Sequence, residues 1–191
     1  KGYVVSVIDC TGHGVPGAFM TMIASFGLRK IIRDEGIRAP DKILKRLSYI
    51  VKTTLQQDTE YALSDDGLDA AICFINPEDI TLTFAGAKLP LICIHDDKLT
   101  YIKGDRESIG YKKSNLSFDF TPHKISIRPG MAFYMFSDGY VDQLGQEKRR
   151  RFGIKQIKEL LLENVNKPFE VQQEILVRAF NEYKGTREIQ D

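Results

Sequence analysis

Residues 4–20 read VVSVIDCTGHGVPGAFM: an apolar run ending on Asp9, a polar stretch carrying Gly12, His13 and Gly14, and then apolar residues again. The β-branched run before Asp9 predicts a buried strand. Pro16 sits where a first helical residue is tolerated. Beyond it Phe19, Met22, Ile23, Phe26, Ile31 and Ile32 recur at helical spacing, and Gly36 offers a stop. A strand that ends on a carboxylate and enters a helix through glycines is more than a reversal of direction. It holds Asp9 rigidly while leaving it open to a ligand. Whether Asp9 is a metal ligand is the question the rest of the sequence bears on.

Outward from this stretch, a second helix starts near Asp41 after Pro40, with an apolar stripe of Ile43, Leu44, Leu47, Ile50, Val51 and Leu55. LDAAICFINPEDITLTFAGA then predicts two strands turning at Asn76–Asp79, and LPLICIHDDKLTYIKG a hairpin turning at Asp96–Asp97. LSFDFTPHKISI and MAFYMFSD supply further strands. Two helices close the chain, from about Ile154 to Glu163 and from Pro168 to Tyr183. Strands segregated from helices point to an α+β class. The expected architecture is a four-layer α-β-β-α sandwich, two antiparallel sheets flanked by helical pairs. The abrupt ends, KGYVVSVID and REIQD, suggest a fold truncated at both ends, residues 1–191 being a single domain and a fragment of a larger protein.

The 191 residues are 42% hydrophobic and 28% charged, enough for a real core, and the net charge of +1 gives no support to nucleic-acid binding. The basic run Lys148–Arg151 reads as a solvated loop, or as a docking patch for an acidic phosphoprotein. No uninterrupted apolar run approaches the roughly 20 residues of a membrane span, so no membrane contact is expected of this domain. Cys10, Cys73 and Cys93 show no CxxC pairing and read as small buried hydrophobes in a reducing compartment. The expected location is the cytoplasm, including the cytoplasmic part of a membrane-anchored sensor.

Asp9 and Asp138 both end apolar strands and precede glycine-containing turns. Convergent carboxylates repel unless a cation neutralises them, and hard oxygen ligands suit magnesium or manganese. The alternative is that each is a turn former. Asp191 is a third candidate. Asp65, Asp66 and Asp69 read as a turn plus strand cap, with Asp69 within approach of the same site. His13 is either a proton relay or a histidine bonding turn backbone. Lys88 either meets a substrate phosphate or is a solvated loop lysine.

In order along the chain, DCTGHGVPGAFMT (9–21), FAGAKLP (84–90), FYMFSDGYVDQ (133–143) with RRFG (150–153), and the terminal IQD resemble the bacterial metal-dependent protein phosphatases. These are the protein phosphatase 2C-like enzymes related to stage II sporulation protein E, and the details are most similar to the SiaA-type members. The resemblance implies that Asp9 bridges two Mn2+ or Mg2+ ions, that Cys10 binds one through its carbonyl, and that Asp138 and Asp191 are further ligands. It implies catalytic roles for Asp9, Asp138 and His13, and substrate binding by Lys88. Asp142 would orient the Asp138 loop. The implied reaction is hydrolysis of phosphoserine or phosphothreonine on a signalling partner, such as a phosphorylated anti-sigma-factor antagonist, by metal-activated water. The competing reading is a catalytically impaired, phosphatase-like partner-binding module; a homodimer is compatible with either. The family's first metal-linked aspartate lies on a strand upstream of KGYVVSVID, and many relatives carry N-A-G-H where this chain has Phe84-Ala85-Gly86-Ala87.

Overall fold

The structure, a computed structural model, describes residues 2–146 and 150–189. Its strands are β1 (Tyr3–Cys10), β2 (Leu68–Asn76), β3 (Thr81–Ala87), β4 (Leu91–His95), β5 (Lys98–Ile102), β6 (His123–Ser126) and β7 (Ala132–Met135). Its helices are α1 (Gly14–Arg29), α2 (Pro40–Thr54), α3 (Asp138–Asp142), α4 (Gly153–Asn164) and α5 (Phe169–Lys184). One sheet has the order β1-β2-β3-β6 and the other β5-β4-β7, with every pairing between these strands antiparallel.

Three apolar clusters fill the three spaces between four layers. Leu44, Leu47 and Val51 of α2 and Met20 and Ala24 of α1 pack on Leu68, Ala70 and Ile72 of β2. The opposite face of β2, Ala71 and Cys73, meets Leu91, Phe133 and Met135 of the second sheet. Beyond that sheet, Ile92 and Ile94 pack on Phe152, Ile157 and Leu161. A strand covered on both faces needs apolar residues at odd and even positions alike, which is why β2 reads LDAAICFI rather than alternating. This is the α-β-β-α sandwich expected from the sequence.

Both hairpins form where the turns predict. Asp96 and Asp97 take φ of 48° and 57°, the left-handed pair that matches strand twist in a two-residue connection. Elsewhere the elements differ in extent. Only His123–Ser126 of the LSFDFTPHKISI run is strand, since the residues before it turn and bond backward, as with Thr121 N–H to Asp105. Asp138 opens the short helix α3 rather than a plain turn. α1 continues through a π-helical turn over Lys30–Asp34, giving a 21-residue helix with mean hydropathy 1.2, long and apolar enough by composition to cross a membrane. Within the fold its inner face packs on α2, while Val15, Phe19, Met22 and Phe26 form an exposed apolar stripe.

Leu47 is fully buried in the first cluster, between α2, α1 and the sheet. Leu47→Ala is expected to cost about 2–5 kcal/mol, the range for a core truncation that leaves a cavity, read from the urea unfolding midpoint. A cost near zero would contradict the packing described.

Candidate functional site

β1 and β2 pair so that Asp9 lies opposite Asp69 and Cys10 opposite Leu68. Directly opposed residues of an antiparallel pair share one face, at about 4.5–5.5 Å between Cα atoms. That face is set by parity: Val7 of β1 and Ala71 and Cys73 of β2 line the space between the sheets. Asp9 and Asp69 therefore stand at the open end of the same space. β3 ends at this edge, with Ala87 opposite Ala70, so Lys88 follows beside it. In the second sheet Leu91 pairs with Met135, and three residues further on Asp138 emerges at the same end. Sequence-distant groups are thus collected by register alone.

Asp69 is where their fields meet. Burial holds its carboxyl above the ordinary carboxylate range; the nearby Ser108 hydroxyl and the Lys88 charge oppose this, and the Asp138 charge reinforces it. Its Oδ1 is buried without a hydrogen-bond partner. Tyr111 is held above the usual phenol range by burial first and then by the Asp69 charge, which places the ring beside the same carboxylate.

The neighbouring loop is clamped from several sides. The Gln57 side-chain amide donates to the carbonyls of Asp66 at 2.7 Å and Gly110 at 2.6 Å, while its oxygen accepts the Asp66 N–H at 2.7 Å. The Thr11 hydroxyl donates to the Gly67 carbonyl at 3.0 Å and accepts the Gly67 N–H at 2.9 Å. Leu68 and Ile109 exchange both backbone bonds at 2.9 Å. Asp65 accepts the Lys112 N–H at 2.8 Å. Asp65 and Asp66 are loop builders, as the turn reading had it, whereas Asp69 stands apart in the inter-sheet gap.

In the glycine stretch, Gly12 and Gly14 have φ of +82° and +64°, values that a side chain disfavours, and a Cβ on Gly17 would come within 2.5 Å of the Gly12 carbonyl oxygen. The turn folds its backbone onto the first turn of α1. Helix α1 thus starts at Gly14, two residues before Pro16, with His13 as its N-cap residue. His13 is exposed and makes no side-chain cap bond. It borders a cavity of about 470 Å³ with Cys10, Gly12, Gly17 and Thr21. The Cys10 thiol is pushed up by burial, an effect that the Thr21 hydroxyl of α1 counters. The sulfur therefore faces α1, on the opposite side of the sheet from Asp9. Asp142 accepts a bond from Arg151 at 2.9 Å, tying α3 to the RRFG segment. Lys88 is exposed with φ of 62°, its N–H donating to the Asp105 carbonyl at 2.8 Å.

Asp191 lies outside the described residues, as do Lys148 and Arg149 of the basic run. Among the described residues no three His, Cys, Asp or Glu side chains stand close enough to hold a metal ion by themselves. The donor chemistry nevertheless fits a hard cation. It is all carboxylate oxygen at one end of the sandwich, with the orphaned Oδ1 of Asp69 among it. Magnesium keeps several waters and takes only one or two carboxylates.

The family model described as stage II sporulation protein E matches residues 1–191. The SiaA-PP2C domain of Pseudomonas aeruginosa is 32% identical with a TM-score of 0.87, over 100% of this chain and 72% of that one. The structure of the PP2C phosphatase domain with a regulatory-domain fragment of SpoIIE from Bacillus subtilis has 18% identity and a TM-score of 0.71, over 97% of this chain and 51% of that one. RsbX in complex with magnesium has 16% identity and a TM-score of 0.65, over 96% of this chain and 77% of that one. No curated protein matches the chain.

Gln57→Ala removes the clamp and leaves the buried backbone groups of Asp66 and Gly110 unpaired. The expected loss is about 2–3 kcal/mol in denaturant unfolding, with faster hydrogen exchange at the Asp66 amide. Unchanged exchange there would show that the loop is held by other means.

Proposed function

The chain belongs to the stage II sporulation protein E family, which comprises PP2C-like phosphatase domains, and on that premise we propose that it is a metal-dependent protein serine/threonine phosphatase. The observation that carries this reading is the collection of Asp9, Asp69 and Asp138, with Lys88 beside them, at one end of the gap between the sheets. Bound there, two Mn2+ or Mg2+ ions would supply activation of water and neutralisation of phosphoryl charge. In this proposal Asp9 and Asp138 hold the cations, Cys10 contributes its carbonyl, and Asp191 completes the set. In this proposal the partial positive charge at the start of α1 favours an anionic substrate. Lys88, exposed at the rim, meets the phosphate. His13, exposed and uncommitted at the N-cap, passes a proton to the leaving serine or threonine alkoxide.

The substrate we propose is a phosphorylated antagonist domain in bacterial signalling, recognised as a folded surface, with the reaction in the cytoplasm. A homodimer would cover the Val15–Phe26 stripe of α1. The second reading, a partner-binding module without catalysis, draws on the absence among the described residues of a closed group of three ligands.

Phosphate release from a phosphoserine protein separates the two. Activity is expected with manganese or magnesium and is expected to vanish with chelator. Asp9→Asn and Asp138→Asn should each lower it at least about 100-fold, as loss of a group stabilising transition-state charge does, with unchanged far-UV circular dichroism. Full activity in either variant would overturn the assignment, and no activity in the wild type under any metal would favour the binding module.

A further inference from the structure

Asp69 belongs to none of the roles above. An aspartate that merely builds a loop or caps a strand spends its oxygens on backbone N–H groups. Asp65 does so with Lys112, and Asp105 with Thr121 at 2.7 Å. In Asp69 the Ser108 hydroxyl acts on the carboxylate, yet its Oδ1 is buried without any hydrogen-bond partner. The Lys88 charge acts on it and offsets it in part. It also lies directly across from the carboxylate of Asp9 in the β1–β2 register, where like charges destabilise a strand pair. Asp138 adds to the repulsion from the second sheet.

A buried carboxylate oxygen left without a partner costs free energy, and a group from outside the chain can offset that cost. A positive, oxygen-seeking group beside the unpartnered Oδ1 of Asp69 would do so. We propose that Asp69 is an additional carboxylate of the cation site, holding a divalent ion through its unsatisfied Oδ1, either directly or through one of the ion's waters. This rests on the phosphatase reading and deepens it.

The two roles open to Asp69 move two observables in opposite directions. A structural cap loses stability when its carboxylate is removed. A ligand held against other negative charges gains stability in the absence of metal and loses metal affinity. The experiment is Mn2+ titration by calorimetry on the full-length protein, with thermal unfolding in chelator, for the wild type, Asp69→Asn, Asp69→Ser and Asp9→Asn. For Asp69→Asn the expected result is a higher metal-free Tm and Mn2+ affinity at least about tenfold weaker, the loss that even outer-sphere partners of a metal produce. Asp69→Ser, smaller and uncharged, should show the same loss of affinity if the asparagine variant does not fold. Unchanged Mn2+ affinity in the Asp69 variants, with Asp9→Asn impaired, would overturn this inference and leave the phosphatase reading standing. A wild type that takes up no Mn2+ would overturn both.

Discussion

Eight consecutive pairs between β1 and β2, from Tyr3 with Ile75 to Cys10 with Leu68, set Asp9 opposite Asp69 at the site. Side chains in a strand alternate between faces, so slipping this register by one residue would send Asp9 or Asp69 to the helix side of the sheet. The register is strongly specified because both faces of β2 are buried. Leu68, Ala70 and Ile72 fit against α2, and Ala71 and Cys73 against the second sheet. Core packing and site geometry are one constraint here. The apolar residues that hold the two sheets together also determine that two carboxylates face each other at their end.

That arrangement works against folding. Like charges across a strand pair repel, and the buried Oδ1 of Asp69 lacks the bond that would offset its lost hydration. The surroundings restrain the conflict without removing it. Gln57 and Thr11 bind the segment leading into β2, and the Leu68–Ile109 pair holds it from the other side. Tyr111 and Ser108 pack beside the carboxylate. A rigid frame around mutually repelling groups is what a preorganised cation site requires, because the cost of assembling the charges is met in the folded chain before any ligand arrives.

The layered fold was legible from the sequence because its signals are local. Apolar runs bounded by Asn76-Pro77-Glu78-Asp79 and Asp96-Asp97 announce hairpins, and the helical stripe of α2 announces its inner face, whereas in α1 Phe19, Met22 and Phe26 of the apolar spacing lie exposed and Met20 and Ala24 face inward. The short reach of β6 and the helix begun by Asp138 were not legible, since tertiary contacts decide where those elements stop. Asp9 and Asp138 stood out as strand-end carboxylates before glycine-containing turns. Asp69 was legible only as a residue within approach of the same site, because in SDDGLDA it has the look of a third turn residue beside Asp65 and Asp66. Its partnership with Asp9 depends on strand register, and its odd-numbered parity with Ala71 and Cys73 gains meaning only once β1 is placed beside β2. Asp142 was named from the resemblance as orienting the Asp138 loop, but its partner Arg151 was not legible, since their bond joins residues on either side of a loop.

The central claim is that cations reside between the end of the β1–β2 pair and the end of β7. Anomalous diffraction from crystals of the full-length protein grown with manganese tests it most directly. The account predicts anomalous peaks within about 2.5 Å of carboxylate oxygens of Asp9 and Asp138. Crystals in which those carboxylates carry no anomalous density, while manganese binds at other sites, would contradict it.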